Sequence, residues 1–229
     1  MRMTTKLLAS CAIAATFLVA PVLGTLSAKA ATIDWANWSN TYTASSATAT
    51  IGSNSVTYTG TLNSVVANYP SWLPASTFSG GTVGNAPPQS GGIVQLFGGD
   101  STVDTITFAS AVLNPVIAIW SLGQGDINAS FAFNAPFTIE SGGPSIEYTG
   151  SSITSLGNTV YGVEGNGTIM FFGTFTSISW TNPVFENWYG FTVGTSETPL
   201  PAALPLFASG LGALGLLGWR RKRKTQAAA

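Results

Sequence analysis

The chain predicts an all-β fold, an antiparallel β-sandwich of jelly-roll-like type, and three observations carry that expectation. Between residues 31 and 198 no apolar repeat of helical period persists for three turns. Short runs rich in Val, Ile, Thr and aromatic residues alternate there with Gly, Ser, Asn and Pro punctuation. No strict internal repeat is visible, which disfavours a propeller or a β-helix.

The first element, residues 1–30, reads as an export leader. Arg2 and Lys6 form a positive head, Leu7 to Leu23 an apolar run, and Ala28-Lys29-Ala30 a small-x-small cleavage pattern. Cleavage by a signal peptidase after Ala30 starts the mature chain at Ala31, which places the protein outside the inner membrane.

The exported domain, 31–197, has an ordinary single-domain length. Its expected strands are "ATATI", "SVTYT", "TVDTITF", "PVIAIWS", "ASFAF", "PFTIE", "TIMFF", "TSISW" and "YGFTV", with "GGI", "FGGD" and "SGGP" as tight turns. In "TVDTITF" the two faces read as mixed, because Asp104 shares one with Ile106 and Phe108. The stretch Asn63 to Gly92 is expected as one long irregular segment covering a sheet.

Charge is sharply segregated. All eight Lys and Arg lie at the two ends, whereas all nine Asp and Glu lie between Asp34 and Glu197. Segment 31–198 therefore carries 0 basic minus 9 acidic side chains, a formal charge of -9, and the chain has no His. The lone Cys11 sits in the leader, so no disulfide scaffold exists. These absences exclude Ser-His and Cys-His nucleophilic pairs, His- or Cys-ligated zinc and Schiff-base chemistry in the domain. An acidic domain without a basic patch also argues against nucleic acid as a partner. Trypsin-like proteases have no preferred bond in it.

Carboxylates, amides, hydroxyls and aromatics remain. Trp35 and Trp38 in "DWANWSN", with Trp188 and Tyr189 in "NWYG", are the candidates for stacking on sugar rings. Trp120 and Trp180 read as core. In an extended chain Trp188 and Tyr189 point to opposite faces, which turns one outward. Asp100, Asp104 and Asp126 are weak candidates for oxygen ligation of Ca²⁺, without a calcium-loop motif; no other cofactor is expected. Glu140, Glu147, Glu164 and Glu186 are the acids from which a glycosidase pair would have to come, although their spacing marks none. No enzymatic activity is expected.

The carboxyl end has three parts. Thr198-Pro199-Leu200-Pro201-Ala202 leads into eighteen uncharged residues, Ala202 to Trp219, followed by Arg220, Arg221, Lys222, Arg223 and Lys224. As a helix, 202–219 would reach about 27 Å, close to a bilayer core. The basic cluster after it is a stop-transfer tail that stays cytoplasmic.

This order of parts resembles the PEP-CTERM sorting signal of Gram-negative bacteria, and the motif is similar to its Val-Pro-Leu-Pro-Ala variant with Thr198 in first position. "ITFASAVLNPVIAIWSLGQGDINASFAF" and "GTFTSISWTNPVFENWYGFTVG" resemble a sandwich domain recurrent in exported proteins of that kind. The resemblance implies an exosortase substrate, held transiently in the inner membrane and cut near Pro199–Ala202. It further implies placement at the cell surface or outside the cell, with a structural or adhesive role in exopolysaccharide or biofilm. A carbohydrate-binding module is the alternative, and a carboxylate-dependent glycan hydrolase a more distant one.

Overall fold

The computed structural model describes residues 30–196. The leader up to residue 29, the motif Thr198–Ala202, the span 202–219 and the basic tail 220–224 lie outside the described residues. Among the described residues no helix is long and apolar enough to cross a membrane.

The described chain is all-β. Its strands are β1 (Ile33–Trp35), β2 (Asn37–Thr43), β3 (Ser46–Ile51), β4 (Asn54–Thr59), β5 (Ser64–Val66) and β6 (Ile93–Leu96). There follow β7 (Val103–Leu113), β8 (Pro115–Leu122), β9 (Ala129–Phe133), β10 (Thr138–Gly142) and β11 (Ser151–Ser152). The last five are β12 (Thr154–Leu156), β13 (Thr159–Gly162), β14 (Gly165–Met170), β15 (Thr174–Thr181) and β16 (Tyr189–Ser196). One helical turn, α1 (Ala75–Phe78), lies between β5 and β6.

Two eight-stranded sheets face each other. The first runs β10-β14-β8-β16-β6-β5, with β1 added beside β16 and β11 beside β14. The second runs β12-β13-β9-β15-β7-β4-β3-β2. The strand pairs are antiparallel except for two-residue β11, which joins β14 in parallel. Because β1 pairs with β16, Ile33 stands opposite Ser196 and the two limits of the described chain lie side by side.

Alternation explains the second sheet. In β7, Asp104, Ile106 and Phe108 point inward while Val103, Thr105 and Thr107 face out, so the inner face accepts one acid among its apolar residues. The outer face is wetted by hydroxyls in place of charges. Register aligns Thr48, Thr57, Thr107 and Ser177 in one row and Ser46, Thr59, Thr105 and Ser179 in the next.

The first sheet does not alternate. All eight residues of β8 are buried, because both of its faces are covered. One face meets the second sheet over an aromatic core in which Trp180 and Phe191 stand edge to face at 5.0 Å. On the other, Trp72, Phe78 and Val83 from the segment Asn63–Gly92 pack with Ile93, Val116, Ala118 and Trp120. Each such ring removes about 150–250 Å² from water, on the order of 4–6 kcal/mol of gross stabilisation. That segment has the covering role expected of it, but it is more ordered than one irregular stretch. It holds β5, α1 and two 3-10 turns, at Pro70–Trp72 and Gln89–Gly91. Thr168 Oγ1 donates to the Phe78 carbonyl at 3.0 Å and fastens it to β14.

The opening tryptophans differ from expectation. Trp35 is 6 % exposed and Trp38 3 %, so neither offers a face to a sugar. The reason lies in Ala36, whose N–H donates to the Val193 carbonyl at 2.8 Å where the chain leaves the first sheet for the second. Trp35 enters the core under the covering segment and donates its indole N–H to the Asn85 carbonyl at 3.2 Å. Trp38 enters the core between the sheets and donates to Thr192 Oγ1 at 3.0 Å.

Candidate functional site

β8 is bulged near its end. Leu122 pairs with Gly165 and Ile119 with Gly167, so Trp120 and Ser121 together oppose the single residue Asn166. The Asn166 side chain fills the broken ladder. Its Oδ1 accepts the Ser121 N–H at 2.8 Å, and its Nδ2 donates to the Glu164 carbonyl at 2.8 Å and the Thr149 carbonyl at 3.4 Å.

The backbone around this bulge is unusual. Six non-glycine residues among those described have positive φ, and two of them, Asn68 and Asn114, are of a type that tolerates it. The other four are Ser121 at 55°, Thr149 at 54°, Glu164 at 51° and Trp188 at 76°. All four gather here. Such conformations cost on the order of 1–3 kcal/mol each and persist where surrounding structure over-determines them, commonly at ligand sites.

Ser121, Glu164 and Trp188 line an open cavity of about 90 Å³ with Gln124, Tyr148, Glu186 and Asn187. The Ser121 hydroxyl donates to Glu164 Oε2. Glu186 enters from the loop between β15 and β16 and is 1 % exposed; its Oε2 accepts the Gly123 N–H at 3.1 Å. Gly123 takes φ +79° to offer that N–H, and a Cβ there would run into the carbonyls of Gly162 and Ile127. Burial pushes the Glu186 carboxyl up to about 8; the Gly123 hydrogen bond opposes this and the neighbouring charge of Glu164 adds to it.

The aromatic rim is formed by Trp188, 50 % exposed, and Tyr148, 42 % exposed. Tyr148 leans over the buried Trp120 at 5.6 Å between ring centroids. Trp188 is the outward one of the pair, in left-handed instead of extended backbone just ahead of β16. Tyr189 is the inward one, fully buried, with its hydroxyl accepting from Asn182 Nδ2 at 2.8 Å, so it offers no stacking face. Of the four aromatics considered for sugar stacking, only Trp188 reaches solvent substantially.

The remaining acids are dispersed. Asp104 is buried, with Oδ1 accepting from the Tyr58 hydroxyl at 2.5 Å and the Thr61 N–H at 3.1 Å, while Oδ2 has no partner. Burial raises Asp104 to about 6, against those two hydrogen bonds. Asp100 accepts from Thr61 Oγ1 and the Thr102 N–H at the surface, and Asp126 lies in the turn between β8 and β9. Among the described residues no three His, Cys, Asp or Glu side chains converge to hold a metal ion. Glu140 fastens the covering segment, accepting from the Thr82 N–H at 2.8 Å and Thr82 Oγ1 at 2.7 Å. Glu147 is pushed up by burial.

Glu164, Glu186 and Trp188 were each legible as candidates, but nothing in their spacing joined them. The signal in the sequence for Ser121 and Gln124 is "SLGQGD", where the apolar run of β8 gives way to polar residues and glycines. No protein-family model matches the chain, and neither the curated proteins nor the solved structures hold a match to it.

Proposed function

We propose that this is a non-enzymatic, exported β-sandwich protein that holds exopolysaccharide at the cell surface or in the extracellular matrix. Its role is structural or adhesive. The observation that carries the reading is the half-exposed Trp188 beside a cavity lined by amide, hydroxyl and carboxyl groups. An indole face takes the C–H side of a sugar ring, and Gln124, Asn187 and Glu164 are the kinds of group that bind its hydroxyls. The rest follows from the sequence: a leader cleaved after Ala30, arrest by the basic tail, and exosortase cutting near Pro199–Ala202. The jelly-roll-like connection of the strands belongs to the same proposal.

Retention of the purified full chain on exopolysaccharide from the producing cells tests the binding. Trp188→Ala is expected to lose it, and equal retention of parent and variant would overturn the reading. Intact mass tests the processing. A species running from Ala31 to the Pro199–Ala202 region supports removal of the tail, and a membrane species retaining Lys224 contradicts it.

A second reading draws on Glu164 and Glu186 lining one cavity, since a glycan hydrolase works with two carboxyls at one site. Sugar release abolished by Glu186→Gln would establish it.

A further inference from the structure

We infer that the cavity of Ser121, Glu164, Glu186 and Trp188 binds a protonated amine carried on a sugar, such as the free 2-amino group of a de-acetylated hexosamine polymer. This rests on the sugar-binding reading above and names the class of sugar.

The argument begins with an imbalance of charge. Two carboxyl groups line one small cavity, and the segment 30–196 contains no Lys, Arg or His to stand opposite them. Glu186 is 1 % exposed, and its single hydrogen bond, from Gly123, occupies Oε2. Oε1 has no partner among the described residues, although Glu186 lines the cavity. A buried carboxyl beside a second one, without a counter-charge, is a costly arrangement that an incoming cation relieves. Burial chiefly, and Glu164 to a smaller degree, push the Glu186 carboxyl upward, and a cation in the cavity would act against both.

Two features select the kind of cation. A divalent metal ordinarily takes six or more oxygens from a ring of ligands, and no third acid converges here among the described residues. An ammonium group has three donors and fits two carboxyls and a hydroxyl-bearing wall. The half-exposed Trp188 and Tyr148 at the rim supply ring faces that favour both a cation and the apolar side of a pyranose. A simple alkylamine would leave these rims unused, whereas an amino sugar engages carboxyls and rings together. The left-handed backbone at Ser121, Glu164 and Trp188 fixes these groups in advance.

The test compares a glucosamine oligomer with its fully N-acetylated counterpart, by calorimetry on the full chain in detergent. The amine oligomer is expected to bind about tenfold or more tightly. Glu186→Gln and Glu164→Gln should each remove most of that preference and keep the thermal transition. Amine binding should also release protons near neutral pH, read as an enthalpy that varies with buffer, and E186Q should abolish the release. Equal affinity for the two oligomers, or preference for the acetylated one, overturns the inference while leaving sugar binding intact. Binding of neither oligomer removes both readings. A lysine-containing peptide that binds as tightly as the amine oligomer overturns the sugar specificity.

Discussion

Ser121 and Glu164 meet beside the β8–β14 pair, hydroxyl to carboxylate, each holding left-handed backbone to do so. Glu186 completes the group from a loop that follows them in sequence. The site therefore exists only in the folded chain, and its acids report on folding.

Glu186 predicts a pH-dependent stability. Its carboxyl is raised from 4.5 to about 8 on folding, so the native chain keeps a proton that the unfolded chain gives up. The stabilisation is complete below the unfolded value and is lost as pH rises through about 8. Glu186→Gln should flatten that slope and exceed the parent above pH 8 by roughly 2–4 kcal/mol. Urea midpoints across that range decide it, and parallel profiles would count against a buried acid.

Tyr58 and Asp104 predict the opposite kind of variant. Tyr58→Phe deletes the hydroxyl that donates to Asp104 Oδ1 and leaves the Thr61 N–H as its remaining donor. The expected loss is about 1–3 kcal/mol near neutral pH. It should shrink under acid conditions, since Asp104 is protonated below about 6 and no longer a buried charge. A loss independent of pH would indicate packing alone.

The tryptophans should separate cleanly. Trp38→Ala opens the core between the sheets and strands Thr192 Oγ1, with an expected loss of about 3–5 kcal/mol. Trp188→Ala removes a half-exposed ring and should shift stability by no more than about 0.5 kcal/mol while removing saccharide binding. Chemical denaturation of the two variants side by side tests this.

Glu140 predicts a weakness at low pH. Burial raises its carboxyl, but hydrogen bonds from Thr138 and Thr82 more than offset this and hold it below its ordinary range. That stabilisation is present above the unfolded value and is lost as pH falls through the folded one. Hydrogen exchange at Thr82 should accelerate on acidification and in Glu140→Gln at neutral pH. An unchanged rate would show that the covering segment is held by its rings alone.

The unfolded domain should also withstand trypsin. Between residues 30 and 196 there is no Lys or Arg. Digestion in mild denaturant is expected to trim only the ends, and internal fragments on mass analysis would contradict this.

Local pattern revealed the strands that bury one alternating face, such as "SVTYT" and "TVDTITF", and the fully buried "PVIAIWS". It placed "PFTIE" and "TIMFF" within two or three residues of β10 and β14. It missed β1, because that strand exists through pairing with β16 at the far end of the domain. The same distant pairing buries Trp35, which local sequence alone allows to be half exposed. The cavity shows the limit most clearly. Glu164, Glu186 and Trp188 could be listed as chemically able, but a bulge at Ser121 and a loop from β15 unite them, and neither leaves a periodic trace.

The pairing of Ile33 with Ser196 has a mechanical meaning. A leader entering before Ala31 and an anchor leaving after Ser196 would share one pole of the domain. The sandwich would hang from the membrane by a single suspension point, its opposite pole free to swing outward. Tension on the carboxyl end would pass first into β16, which has β8 on one side and β6 and β1 on the other. Ladders on both sides of β16 would then have to shear together before the strand could leave the sheet.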